Sequence, residues 1–327
     1  MCRELEAGKV KILIEKDESA MGQKSAQLMA RALKEAAAAG KKTALWLMAA
    51  PSGFSFYRAF TGLCRSDGEL AAVMRKTLFY QFDDYPIARG DPKFAITFRY
   101  LLEKNFLDPL SKICGTALPV QALELKGDGG DKELADAYAR GLCAILEDPS
   151  YFVAELKGIG MDGHWGFHDS GTPLDAPPGI IMVPMTGQNI HQQRLDWPQY
   201  FKTDADVPGA AYSFTAAAFM KADYIIDNVP QASKKYSVLA VYGNDIILGE
   251  APSSLLKKHP NAISVLTTDS ADILAEFRDA FVQTGSRKLS RSMHARLAAL
   301  WDDPANPAQQ KKNIGTMDAV LAKLGFI

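Results

Sequence analysis

The sequence predicts an α/β protein built on a mostly parallel sheet, and two observations carry that prediction. Short apolar runs recur along its 327 residues, and longer stretches with helical spacing separate them. Crossover units that join parallel strands produce this alternation. The length and a hydrophobic content of 47% suffice for a sizeable core.

Val10 to Ile14 reads as the first strand. Asp17 to Ala38 follows as a helix, with Met21, Ser25, Leu28 and Ala32 on one stripe, Asp17 or Ser19 as cap, and Gly40 as its stop. Thr43 to Ala50 is nearly all apolar, as a doubly covered strand is, and runs through the small-residue turn Pro51-Ser52-Gly53-Phe54-Ser55 into a helix over Phe56 to Leu63. Lys76 to Phe82 forms another strand, ending in Asp83-Asp84-Tyr85, and Gly90-Asp91-Pro92 leads to a helix near Phe94 to Asn105. Lys126 to Lys132 is a polar loop before a helix through Ala137, Leu142 and Leu146. Tyr151 to Leu156 enters a glycine-rich segment over Gly158 to Gly171. Further strands are expected at Gly179 to Pro184, Tyr224 to Ile226, Ile246 to Leu248 and Ala262 to Leu266. From Ser286 onward the pattern is helical, interrupted by Asp302-Asp303-Pro304-Ala305-Asn306-Pro307. The organisation expected is one α/β domain over residues 1–285 with a helical extension over 286–327.

Thirty-seven basic against 38 acidic residues leave a net charge of −1, which excludes a global field for nucleic acid or an anionic membrane. Cys2, Cys64, Cys114 and Cys143 are dispersed without a CxxC pair, an arrangement of reduced thiols rather than of a disulfide framework or structural zinc. The charged start lacks the apolar run of a signal peptide, and no stretch approaches the roughly 20 apolar residues of a membrane span. A cytoplasmic protein is the expectation.

In open α/β sheets ligands bind beyond the carboxyl ends of the strands, so polar residues just after apolar strands are the candidates. Three places qualify. The Ser52-Gly53 turn lets backbone amides approach an anion at a helix N-terminus, although an ordinary tight turn has the same composition. Asp83 and Asp84 end a strand and can supply a proton-transfer base, although loop acids and helix caps look alike. Gly158 to Gly171 holds five glycines in fourteen residues together with Asp162, His164, His168 and Asp169. Carboxylates beside an imidazole orient it and tune its proton affinity for acid/base work near neutral pH. Two His and two Asp within eight residues, with His191 elsewhere in the chain, keep a metal site open as the rival, as does a structural role.

In this order, the segments PSGFS, DDY and GIGMDGH resemble the glucosamine-6-phosphate deaminase/isomerase family and its relative 6-phosphogluconolactonase, over about Lys11 to Leu274. The resemblance implies a three-layer α/β/α sandwich with a Rossmann-like sheet, and a sugar phosphate as substrate. It further implies Asp83 as the base moving a proton between C2 and C1, His164 opening the pyranose ring, and Asp162 and Asp169 orienting that imidazole. Ser52, Gly53, Ser55, Arg194 and Lys234 would hold the 6-phosphate, with Asp84 and His168 as further substrate contacts. Neither cofactor nor metal is required by such chemistry. Trp165-Gly166-Phe167-His168-Asp169 is nearer the deaminase run than that of the lactonases, and Pro208 to Thr215 lacks the lactonase Arg.

Departures accompany the likeness. Asp169 stands where the deaminases have Glu, and His168-Asp169-Ser170 replaces Asn-Glu-Pro. Phe54 and Phe56 replace a Gly and a Pro of the phosphate loop, and Phe94 and Ala95 replace a Ser and an aromatic residue. The reading is a sugar-phosphate isomerase/deaminase, with a phosphogluconolactonase-like hydrolase or a non-catalytic sugar-phosphate sensor as alternatives. A homo-oligomer is left open.

Overall fold

The computed structural model describes residues 3–327, so Cys2 lies outside the described residues. Eleven strands are present among them: β1 (Arg3–Ala7), β2 (Val10–Glu15), β3 (Lys42–Leu47), β4 (Leu78–Gln81), β5 (Asp83–Asp84), β6 (Val120–Gln121), β7 (Tyr151–Lys157), β8 (Ile180–Pro184), β9 (Ala210–Phe214), β10 (Tyr224–Val229) and β11 (Ala262–Thr267). The helices used below are α1 (Glu18–Ala38), α2 (Phe54–Ser66), α3 (Gly68–Met74), α4 (Phe98–Leu102), α5 (Asp108–Cys114), α6 (Asp131–Glu147), α7 (Gly187–Asp196), α8 (Ala216–Phe219), α9 (Lys235–Tyr242), α10 (Thr268–Thr284), α11 (Arg291–Ala298) and α12 (Pro307–Lys323).

Eight strands form the central sheet in the order β1-β2-β11-β10-β7-β3-β4-β6, parallel throughout except for the β1–β2 edge pair. With helices layered on it, this is the mostly parallel α/β/α arrangement expected. The central strands carry continuous apolar runs because both of their faces are covered. Trp46 on β3 and Ile225 on β10 are fully buried, for instance.

α1 forms where the stripe was expected. Asp17 caps it by accepting from the Ala20 N–H at 2.8 Å, and Met21, Ser25, Met29 and Leu33 face the sheet. Ser25 bonds Asn228 on β10, which fixes that residue's face of β10 as the α1 side. Asp227, its neighbour in sequence, therefore points to the opposite layer.

A second, three-stranded antiparallel sheet, β5-β9-β8, sits beside the first. It follows β4 after a single residue, Phe82, whose carbonyl accepts from the Phe214 N–H at 2.9 Å. Ile246 to Leu248 is not a strand: Lys257 Nζ takes the carbonyl of Ile246, and Ser254 bonds both backbone groups of Leu248. Side chains thus satisfy the backbone that a ladder would have paired.

Residues 286–327 supply α11 and α12 and pack into the same hydrophobic core as the sheet. Trp301 is fully buried, edge-on to Tyr236 at 5.9 Å. Trp301→Ala is expected to lower the unfolding free energy by about 3–5 kcal/mol, read by urea denaturation. A change below about 1 kcal/mol would mean that the segment is only loosely docked. Among the described residues, no helix is long and apolar enough to cross a membrane.

Candidate active site

One cleft collects four of the residues singled out. Ser52, Asp83, His164 and Lys234 line it, together with Gly160, Gln192, Gln193, Asp196 and Gln231. Ser52, His164 and Lys234 follow the carboxyl ends of β3, β7 and β10, whereas Asp83 comes from β5 of the small sheet. Ligands in α/β sheets are met at such strand ends.

Ser52 sits in the tight turn Pro51–Gly53 that opens into α2, and its hydroxyl donates to Gln231 Oε1 at 2.9 Å. Gly53 and Ser55 are buried next to it without lining the cleft. Lys234 ends the short turn before α9 and is 2% exposed. Burial pulls its ammonium down to about 8, against the opposing charges of Asp196 and Asp162.

Asp83 is 1% exposed, and its Oδ1 has no hydrogen-bond partner. Burial, then the neighbouring Asp84 and Glu155, hold its carboxyl well above the usual range. A buried acid of that kind is a base poised for a proton once ionised.

His164 is placed by glycine. A Cβ on Gly160 would fall 2.0 Å from the imidazole, so only glycine lets the loop fold over it. Gly166, at φ 62°, brings the next turn down on Asp83: a Cβ there would lie 3.2 Å from its Oδ2. His164 Nδ1 lies 2.7 Å from Asp162 Oδ1 and 4.0 Å from Asp169 Oδ1. Burial of Asp162 would raise its carboxyl, but the charge of His164, whose backbone N–H also donates to it at 3.1 Å, outweighs burial and lowers it. Burial and the adjacent Asp162 charge push Asp169 the other way, well above the usual carboxylate range. These three groups also have the spacing of a cation site. The chain's own donors already engage them: Asp169 accepts from Ser170, Thr186 and Asn189, and Asp162 from Thr186 and His164.

Three expected contacts are corrected. Asp84 does not line the cleft; its carboxylate accepts from the N–H groups of Tyr85 at 2.8 Å, Phe98 at 2.8 Å and Arg99 at 3.0 Å, and so caps α4. His168 is fully buried behind the loop, its backbone paired with Trp165. Arg194 does not line the cleft; its Nη1 donates to Asp204 at 2.9 Å and to Asp303 at 2.8 Å. Both bonds come from that one nitrogen, and Nε has no partner.

The sequence reading missed the wall made by α7. Thr186 caps this helix, whose buried residues are Gln188, Asn189, His191, Gln192 and Gln193. A helix that buries amides rather than an apolar stripe faces a polar space, and that pattern was the available signal. Gln192 Oε1 accepts from the Met161 N–H at 2.7 Å, and Gln193 Oε1 accepts from Tyr85 at 2.5 Å.

No family model matches the chain. It is similar to glucosamine-6-phosphate deaminases from Staphylococcus aureus, strains JH9 and Newman among them, at 32% identity over 142 residues. That match covers 43% of this chain and 53% of the relatives, so the chain spans about half the length of the curated relatives it matches. Among solved structures, a monomeric glucosamine-6-phosphate deaminase superposes with TM-score 0.62 at 16% identity, covering 80% of this chain and 98% of that one. The 6-phosphogluconolactonase of Trypanosoma brucei gives TM-score 0.56 at 14% identity, covering 82% and 100%. These solved structures share the fold.

Proposed function

We propose that this chain, a divergent relative of the glucosamine-6-phosphate deaminases and 6-phosphogluconolactonases, is a sugar-phosphate isomerase/deaminase acting on a hexosamine 6-phosphate. The observation that carries the reading is the meeting of an acid/base pair, Asp83 and His164, with an anion grip, Ser52 and Lys234, in one cleft. His164, held by Asp162, opens the pyranose ring by moving a proton between the ring oxygen and the C1 hydroxyl. Asp83 then takes the C2 proton and returns it at C1. Proton return at C1 leaves an imine at C2; water adds to it, and loss of ammonia gives the ketose phosphate. Ser52 and Lys234 hold the phosphate so that C2 is presented to Asp83. The division at residues 285 and 286 belongs to the same proposal, with the catalytic parts in the α/β portion.

The productive form needs Asp83 ionised and Lys234 protonated. Asp83 is raised and Lys234 lowered, so this form occupies a narrow interval of pH. We expect a bell-shaped kcat/KM, which reports the free enzyme. Its acid limb lies well above the ordinary carboxylate value near 4, and its alkaline limb lies near Lys234's value of about 8. An acid limb at the ordinary carboxylate value would remove Asp83 as the base.

The test is proton NMR of the protein with glucosamine 6-phosphate in D2O, following the C2 proton, ammonia and the ketose. Exchange with ammonia release supports the deaminase. Exchange without ammonia indicates an isomerase on another sugar. An unchanged sugar that still binds abandons amino-sugar chemistry in favour of a lactone substrate or a sensor.

A further inference from the structure

Three ionisable side chains on one face of the central sheet are fully buried: Lys157 on β7 and Asp227 on β10, which pair, and Glu155 on β7, which burial pushes up to about 8. Glu155 and Lys157 are two residues apart and therefore share a face. Asp227 is the register partner of Lys157. Buried ions are often replaceable by apolar residues without loss of stability, so their presence here calls for a role besides holding the fold.

Lys157 Nζ donates to Asp227 Oδ1 at 3.0 Å, and the other oxygen of Asp227 accepts from Tyr242 at 2.5 Å and Ser264 at 3.0 Å. Lys157 Nζ also donates to Ser253 Oγ at 3.3 Å. An ammonium only donates. The Ser253 hydroxyl, accepting there, sends its own proton to the His164 carbonyl at 2.9 Å. The next residue, Trp165, is tied three times. Its Nε1 donates to Glu155 Oε1 at 2.7 Å, Lys157 Nζ lies 4.7 Å from the centre of its ring, and the ring stacks on Phe219 at 5.0 Å. The chain of donors thus has one direction, from the buried ammonium to the backbone of the residue proposed to open the sugar.

We propose that Lys157 is a positioning residue for His164: seated on Asp227, it fixes the His164–Trp165 turn through Ser253 and the indole, and so holds the imidazole in register with Asp83 across the cleft. This rests on the acid/base reading of His164. It adds a residue that touches neither substrate nor reacting atoms.

Lys157→Met alone would strand Asp227 as an unpaired buried charge and weaken the fold for that reason. The informative variant is Lys157→Met/Asp227→Asn, which removes both charges and keeps an acceptor for Tyr242. Ser253→Ala cuts the chain while leaving the ion pair and serves if the double variant does not fold. The readouts are kcat and KM on glucosamine 6-phosphate, thermal melting, and the imidazole resonances of 15N-histidine-labelled protein, His164 being assigned by its loss in His164→Gln. The expected result is melting close to that of the unaltered protein, KM within about twofold, kcat lower by about 10- to 100-fold, and shifted or broadened His164 resonances with an altered titration midpoint. Resonances and midpoint equal to those of the unaltered protein would overturn the proposal, whatever the melting shows. If the unaltered protein does not turn the sugar over, the catalytic reading fails, and the imidazole spectra alone still decide whether Lys157 positions His164.

Discussion

Asp83→Asn is expected to lower C2 proton exchange by about 10²–10⁴-fold, the usual range for a positioned base, while making the protein more stable in alkali. The second half follows from burial. Asp83 is 1% exposed, its carboxyl is held well above the usual range by burial and then by Asp84 and Glu155, and its Oδ1 has no partner. The folded state therefore favours the protonated acid. Whatever this contributes to stability is fully present below the unfolded value near 4 and is lost as pH rises through the folded value. Asparagine imitates the neutral acid and carries no such loss. Urea unfolding at acid and alkaline pH should show the variant gaining on the parent as pH rises. A variant weaker at every pH would mean that the carboxylate is ionised and paired in the native state. A hydrolase acting on a lactone would tolerate the substitution with little change in rate, so the same variant separates the two chemistries.

His164→Gln is expected to cost about 10²-fold or more in kcat on a cyclic sugar phosphate, because an amide cannot shuttle a proton to the ring oxygen. Phosphate binding should survive, since Ser52 and Lys234 belong to other strand ends. The loss should therefore fall on kcat rather than KM, read from initial rates over a range of substrate concentration. Activity within about tenfold of the parent would transfer ring opening to another group.

The strand-helix alternation made the sheet legible, and polar residues at strand ends located Ser52, Asp83 and His164, because in this class of fold those ends meet the ligand. What escaped was set by partners remote in sequence. Arg194 looked free for an anion until Asp303, 109 positions on, took its Nη1. Asp84 looked like the twin of Asp83 until the start of α4 arrived on its oxygens. The small sheet was hidden because β5 has only two residues, too few for any periodicity. Glu155 and Lys157 sit in a strand buried on both faces, where sequence pattern calls for apolar residues. Their satisfaction depends on Trp165, Ser253 and Asp227, which only the fold gathers. Conversely, Ile246 to Leu248 had strand composition but joined no ladder, because Lys257 and Ser254 reached its backbone first.

The placement of Asp83 on the small sheet, with Ser52, His164 and Lys234 on loops of the large one, divides the cleft between two supports. The loops that carry Ser52, His164 and Lys234 belong to the large sheet, part of the fold that this chain shares with a deaminase and a lactonase structure. The proposed carbon base, Asp83, stands instead on the separate small sheet β5-β9-β8. On the proposed reading, substitutions confined to β5, β8 and β9 are expected to alter the proton transfer assigned to Asp83 while leaving Ser52, His164 and Lys234 in place.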